Sequence, residues 1–261
     1  MISAEDVKLV QKRFSKAAER YDRLAFIQND IRRELVEKLA SFHGGDILDV
    51  GSGTGALLEE IVGKNPSGMN VGLDLAWGMV DTAREAGRQG TFIQGDGCAL
   101  PFKSGSFDLV VSASSYQWAV DIDRSFDEAR RVLKEGGRFR AALFGQGTLG
   151  EFFESLHVAG PNIREKLTRI DRFPSHGDVR RALESAGFAD AAVFSENRQA
   201  VFRDLWSFLV WLKSVGANSL AQGVFFGRRA LANVQDHYSR HFGVDGGIRV
   251  TFEVIWIDAE K

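Results

Sequence analysis

The sequence predicts an α/β fold: a doubly wound, mostly parallel seven-stranded sheet with N-terminal helices and a helical insertion near the C-terminus. Three observations predict it. Short apolar runs alternate with stretches of helical period at spacings of about 20 to 25 residues, the rhythm of βαβ units. Runs such as Phe107 to Ser112 are mostly apolar and do not alternate, as strands covered on both faces do. The first run ends in a glycine cluster, the turn that joins a strand closely to a following helix.

The elements follow in order. Ser3 with Asp6 three positions on predicts an N-terminal capping box. Val7, Val10, Phe14, Ala17, Ala18 and Tyr21 then recur at helical spacing. A second amphipathic helix runs from about Phe26 to Phe42, with Ile27, Ile31, Leu35, Val36 and Leu39 on one face, and His43-Gly44-Gly45 stops it. Strands are predicted at 47–50, 70–73, 91–94, 107–112 and 138–144. Helices fall between them, through Leu57 to Val62, Trp77 to about Gly87, and Asp123 to Leu133, the last stopped by Glu135-Gly136-Gly137. Beyond residue 145 the rhythm weakens. Helices are predicted at 148–159 and 175–186, a strand at 191–194, helical segments over 203–242 with breaks at Gly216, Gly223 and Gly227, and an alternating strand at 249–257. The chain reads as one domain. Residues 1–44 form an N-terminal helical cover, 45–145 a core with the glycine loop, 146–198 and 248–261 the rest of the sheet and its helices, and 199–247 a helical lid.

Composition narrows the function. The 261 residues carry 33 Lys+Arg and 35 Asp+Glu, a net charge of −2, so no basic surface is available to wrap a nucleic-acid backbone. A single cysteine, Cys98, excludes an internal disulfide and a cysteine-based zinc site and points to a cytoplasmic protein. The longest apolar stretches, such as Phe208 to Leu212, fall far short of the ~20 residues that span a bilayer, so no membrane partner is expected. The N-terminus is acidic where a signal peptide is cationic.

The loop Asp49-Val-Gly51-Ser-Gly53-Thr-Gly55 lies at the carboxyl end of a predicted strand, where open α/β sheets bind ligands. Its spacing is G-x-G-x-G, not the G-x-G-x-x-G of dinucleotide sites. Asp49 would repel a pyrophosphate but suits an amine. Asp74 ends the second strand, where an acid accepts both hydroxyls of a ribose. Asp96 follows the third strand and, with Cys98, Ala99 and Leu100, can frame an adenine. A glycine loop and acids at successive strand ends fit a nucleoside that carries an amino acid and no phosphate. S-adenosyl-L-methionine is that molecule.

Over residues 45–145 the sequence resembles the class I S-adenosylmethionine-dependent methyltransferases, which have a Rossmann-like fold. The stretches that carry the resemblance are Ile47 to Gly55, Gly72-Leu-Asp-Leu75, Gly95-Asp96, Leu100-Pro-Phe102, Ser106-Phe-Asp-Leu-Val110 and Leu133-Lys-Glu-Gly-Gly137. Ser52 stands where many relatives have cysteine. Arg13 to Asp22, Gln117-Trp118, Phe144 to Leu149, Leu212 to Ala217 and Val250 to Val254 resemble the malonyl-acyl-carrier-protein O-methyltransferases of biotin synthesis. The resemblance implies cofactor contacts at Asp49, Gly51, Ser52, Gly53, Gly55, Asp74, Leu75, Met79, Gly95, Asp96, Gly97, Cys98 and Ser112, and no metal. It implies acceptor-side roles for Tyr21, Gln117, Trp118 and Lys213.

The implied reaction joins a methyl group to the free carboxylate of malonyl-acyl carrier protein or malonyl-CoA. A carboxylate is ionised at neutral pH, so proximity and alignment suffice and no general base is required. The substrate carboxylate needs a cationic or donor partner. Lys213, Arg203 and Arg249 are candidates, in a segment (199–249) whose net charge is +3. Rival readings are a methyltransferase for a quinone or phenol, which calls for a general base such as histidine, and a cofactor-binding protein without transfer activity.

Overall fold

The computed structural model describes residues 4–40, 42–64, 67–159, 173–188, 190–217 and 228–261. At its centre lies β1 (Ile47–Val50), buried at every position. It pairs in parallel with β2 (Asn70–Asp74) on one side and β4 (Phe107–Ala113) on the other. The sheet order is β3-β2-β1-β4-β5-β8-β6, with β3 at Thr91–Gln94, β5 at Leu133–Phe144, β6 at Ala192–Phe202 and β8 at Gly247–Glu260. A two-residue β7 (Gly243–Val244) hooks onto the start of β8. The first five strands are parallel, and β8 runs antiparallel to both β5 and β6. Strand order therefore reverses between β1 and β4, which opens a crevice beyond their carboxyl ends.

Alternation along the strands divides the core. Ile47, Leu109, Val111, Ala142 and Phe144 face one layer, which includes α2 (Phe26–Lys38), α3 (Ala56–Lys64) and α8 (Leu205–Ser214). Leu48, Val50, Val110, Phe139, Ala141 and Leu143 face the other, against α5 (Ile122–Val132) and α7 (His176–Ala186). The remaining helices are α1 (Ala4–Leu24), α4 (Trp77–Glu85), α6 (Gly150–Ala159) and α9 (Arg228–Phe242). Among the described residues no helix is long and apolar enough to cross a membrane.

Several boundaries differ from the sequence expectation, each for a packing reason. Helix α5 ends at Val132, because Leu133 is fully buried and already pairs with Phe107. The ladder thus begins ahead of the glycine pair, with a register irregularity between Phe107 and Leu109. Strand β6 is much longer than 191–194, because the chain through Phe202 keeps pairing with β8 up to Ile248. Helices α8 and α9 are therefore inserted into one long hairpin between β6 and β8. The predicted capping residue Ser3 and the breaks at Gly223 and Gly227 lie outside the described residues.

Helix α1 is seated against α4. Gln11 Nε2 donates to the Leu75 carbonyl at 2.9 Å, and the Gly78 N–H donates to Ser15 Oγ at 3.2 Å. A Cβ on Gly78 would lie 2.6 Å from the Ser15 carbonyl oxygen, so only glycine permits this approach. Helix α8, in the insertion between β6 and β8, holds the same helix from another side. Trp211 Nε1 donates to the Leu24 carbonyl at 2.8 Å, and Gly216 abuts Arg13 and Phe14.

Candidate active site

The crevice at the carboxyl ends of β1, β2 and β4 is roofed by α1 and the start of α2, and the empty space between them, counted out through its open mouth, is about 1230 Å³. Its floor is the glycine loop. Gly51 takes φ +72°, and a Cβ there would overlap the Ser115 side chain. Gly53 takes φ +54°, and nothing lies within 4 Å of where its Cβ would project. The loop therefore offers bare backbone and open room to a ligand.

Asp49 is 1 % exposed, lines this cavity, and neither of its carboxylate oxygens has a hydrogen-bond partner. Burial, with the nearby charge of Asp74, pushes its pKa up to about 8 against a weaker pull from the Leu58 backbone N–H. An orphaned buried carboxylate is costly unless a donor or cation arrives. Asp74 is differently placed. Its Oδ2 accepts the Gly53 N–H at 2.9 Å and its Oδ1 accepts the Ala76 N–H at 2.7 Å. Burial raises it to about 6 against the pull of those two bonds. Each oxygen keeps a lone pair for a further donor. Asp96 is exposed at the rim, and its Oδ1 accepts the Cys98 N–H at 2.8 Å. Cys98 is buried, its thiol 3.1 Å from Ser125 Oγ, and burial pushes its pKa up.

Most of the residues singled out from sequence share this cavity. Asp49, Gly51, Ser52, Gly53, Asp74, Leu75, Met79, Gly95, Asp96, Gly97 and Cys98 line it, as do Tyr21 and Trp118. Tyr21 meets Phe14 edge-on at 6.2 Å between ring centroids, and Trp118 sits between Phe14 and Phe173. Burial and the charges of Asp74 and Asp22 keep the Tyr21 phenol protonated.

Four residues are placed off the wall. Gly55 packs on the Phe92 ring and is shut off from the cavity by its neighbours. Ser112 is fully buried, and its hydroxyl donates to the Val50 carbonyl at 2.7 Å, tying β4 to β1. Gln117 is 2 % exposed, and its amide bridges the Ser114 carbonyl (2.7 Å) and the Phe144 N–H (3.4 Å). It braces the loop that carries Trp118. Lys213 points into solvent at the end of α8. The other two candidate cations are also elsewhere: Arg203 is exposed and paired with Asp204, and Arg249 is paired with Glu151.

The structure adds wall residues that sequence reasoning missed. Arg32 is the one Lys or Arg among the described lining residues, and it is held by Glu60 at 3.0 Å and by the Asn29 side chain at 2.8 Å. Gln28 Oε1, Ser52 Oγ, Ser114 Oγ and Tyr116 Oη are buried without hydrogen-bond partners, and their residues line the cavity. Ser114 also sits at φ +56°, a backbone conformation unusual for serine. Sequence offered no distinct signal for Gln28, Asn29 and Arg32, because they lie on a helix that also carries Asp30, Arg33, Glu34, Glu37 and Lys38. An orphaned acid, a two-lone-pair acid and bare loop backbone fit a cationic amino-acid nucleoside.

Comparison with known proteins gives an independent view. Residues 48–141 match the family described as "Methyltransferase domain". The chain is 36% identical to the malonyl-[acyl-carrier protein] O-methyltransferase of Geobacter sulfurreducens, over 96% of this chain and 97% of that one. It is 30% identical to a biotin biosynthesis bifunctional protein of Cellvibrio japonicus, over 98% of this chain but 51% of that longer protein. Among solved structures, the YcgJ protein of Bacillus subtilis superposes with a TM-score of 0.64 at 19% identity, covering 89% of this chain and 98% of that one.

Proposed function

The chain belongs to the malonyl-[acyl-carrier protein] O-methyltransferase family, and from that premise we propose that it methylates the free carboxylate of a malonyl thioester, with S-adenosylmethionine as donor, in biotin synthesis. The observation that carries the donor assignment is Asp49: a buried carboxylate, unpartnered on both oxygens, facing a cavity at the glycine loop. It answers the ammonium of the cofactor's amino-acid end. Asp74 has a free lone pair on each oxygen for the ribose hydroxyls, and Asp96 with Cys98 borders the adenine. Arg32, tied to α3 through Glu60, is the cation for the cofactor's carboxylate.

When bound, S-adenosylmethionine supplies an electrophilic methyl group on a sulfonium. The chain's own work is to hold, align and keep water out. Phe14, Tyr21 and Trp118 form an aromatic wall on the acceptor side. The unpartnered hydroxyls of Ser114 and Tyr116 are donors available to an incoming carboxylate. No proton has to be removed from that carboxylate, and none of the five histidines is among the lining residues. A phenol acceptor would need such a base. The carrier-protein form of the substrate is favoured by the names of the relatives. A steady-state panel tests the reading: turnover with malonyl-acyl carrier protein and malonyl-CoA against acetyl- and succinyl-acyl carrier protein. Malonyl thioesters turning over at least tenfold faster than acetyl supports it; equal or absent rates overturn it.

A further inference from the structure

We propose that Asp22 latches the helical cover to the glycine loop and sets how fast the cofactor exchanges; this rests on the cofactor reading above. Asp22 lies in the last turn of α1, next to Tyr21, and lines the cavity. Its Oδ1 accepts the Thr54 hydroxyl at 2.5 Å, and its Oδ2 accepts Arg88 Nη2 at 2.8 Å. Its backbone carbonyl accepts Asn29 Nδ2 at 2.7 Å. Thr54 sits between Gly53 and Gly55, inside the loop that bears the ligand-facing backbone. Arg88 follows α4 and also pairs with Glu59 of α3. One carboxylate thus joins the cover to the loop and to two core helices.

The placement makes this a latch and not a general brace. Among the described residues, polar ties at Gln11 and Ser15 hold the earlier turns of α1 to the end of β2 and the start of α4. Asp22 secures the opposite end, beyond Tyr21. Along this stretch Phe14, Ala18 and Tyr21 form a small cluster closed by Ala76 and Met79. Freeing the Asp22 carboxylate loosens the end that carries Tyr21, which is then held to its surroundings by the Asn29 and Trp211 bonds to backbone carbonyls, while the Gly78 seat stays in place. The lid shares this end of the helix, since Trp211 bonds the Leu24 carbonyl two residues later. Asp22 touches no reacting atom in this assignment and is a positioning residue.

The experiment is displacement of S-adenosylhomocysteine from the full chain, followed in time, for wild type, Asp22→Ala, Thr54→Val and the double variant. Each single variant should release ligand roughly tenfold faster or more, the weight of one charge-assisted hydrogen bond. The double variant should be no faster than Asp22→Ala, because Thr54→Val removes a bond that Asp22→Ala has already removed. Melting temperature is recorded in parallel. Thr54→Val keeps the Asp22–Arg88 pair, so it decides the matter if Asp22→Ala fails to fold. Release rates within twofold of wild type, or effects that multiply in the double variant, overturn the latch. Wild type that binds no S-adenosylhomocysteine overturns the cofactor reading instead.

Discussion

Asp49 carries a pH signature that follows from its surroundings. Its folded pKa of about 8 lies above the ordinary carboxyl value of 3.8, so the ligand-free fold holds a proton that the unfolded chain has lost. The ligand-free fold therefore loses stability as pH rises from about 4 to about 8. An ammonium ligand favours the ionised form, so binding expels the proton at neutral pH. Affinity for S-adenosylhomocysteine should tighten as pH rises toward 8 and then level off, and calorimetry in buffers of different ionisation enthalpy should detect up to about one proton released at pH 7. Asp49→Asn should abolish that release and weaken binding by about 10- to 100-fold. The same substitution should raise the melting temperature of the ligand-free protein, by an amount that grows between pH 5 and pH 8. At Arg32, substitution by Met should raise the cofactor KM by about tenfold and leave kcat for bound substrates within a few-fold.

At the scale of elements, α1 does its work by fitting closely on α4. Gly78→Val would place a side chain where the Ser15 backbone now lies. The helix must then lift from its seat. We expect weaker cofactor binding with a cost to stability of about 1–3 kcal/mol, checked by titration and urea unfolding of the same variant. The seat was not legible in the sequence. Gly78 stands one residue inside a predicted helix, where glycine reads as a mild defect, and only the position of Ser15 shows why it is there. Strand ends were more legible. Asp49, Asp74 and Asp96 fall at successive strand-to-loop junctions, and regular βα spacing locates such junctions without any knowledge of packing. Asp22, Gln28 and Arg32 escaped because their pattern is that of ordinary solvated helix flanks. What makes them part of a cavity is a tertiary fact, the placement of α1 and α2 over the crevice.

For the whole molecule, the sheet was legible because short apolar runs and stretches of period 3.6 alternate through residue 144. The later half was less so. Strand β6 continues through Ser195-Glu196-Asn197-Arg198, polar residues beyond the predicted strand at 191–194, because its backbone pairs with β8 along the sheet edge. The two core layers also tie stability to the site. Phe139 is fully buried among Tyr116, Phe126 and Phe188, and Tyr116 lines the cavity. Phe139→Ala should cost about 3–5 kcal/mol in denaturant unfolding, and its effect on turnover should appear as loss of folded protein and looser acceptor binding together. The reaction as a whole uses no general base. The kcat for a malonyl thioester should therefore be nearly flat from pH 6.5 to pH 9, where a phenol acceptor would show a rising limb.

The most direct measurement is intact-mass analysis of malonyl-acyl carrier protein after incubation with the enzyme and S-adenosylmethionine. The account predicts a gain of one methylene on the malonyl form, lost together with the acyl group when neutral hydroxylamine cleaves the thioester, and no gain on the acetyl form. A malonyl carrier left unmodified by enzyme that binds S-adenosylhomocysteine, or a methyl group found away from the malonyl carboxylate, would contradict it.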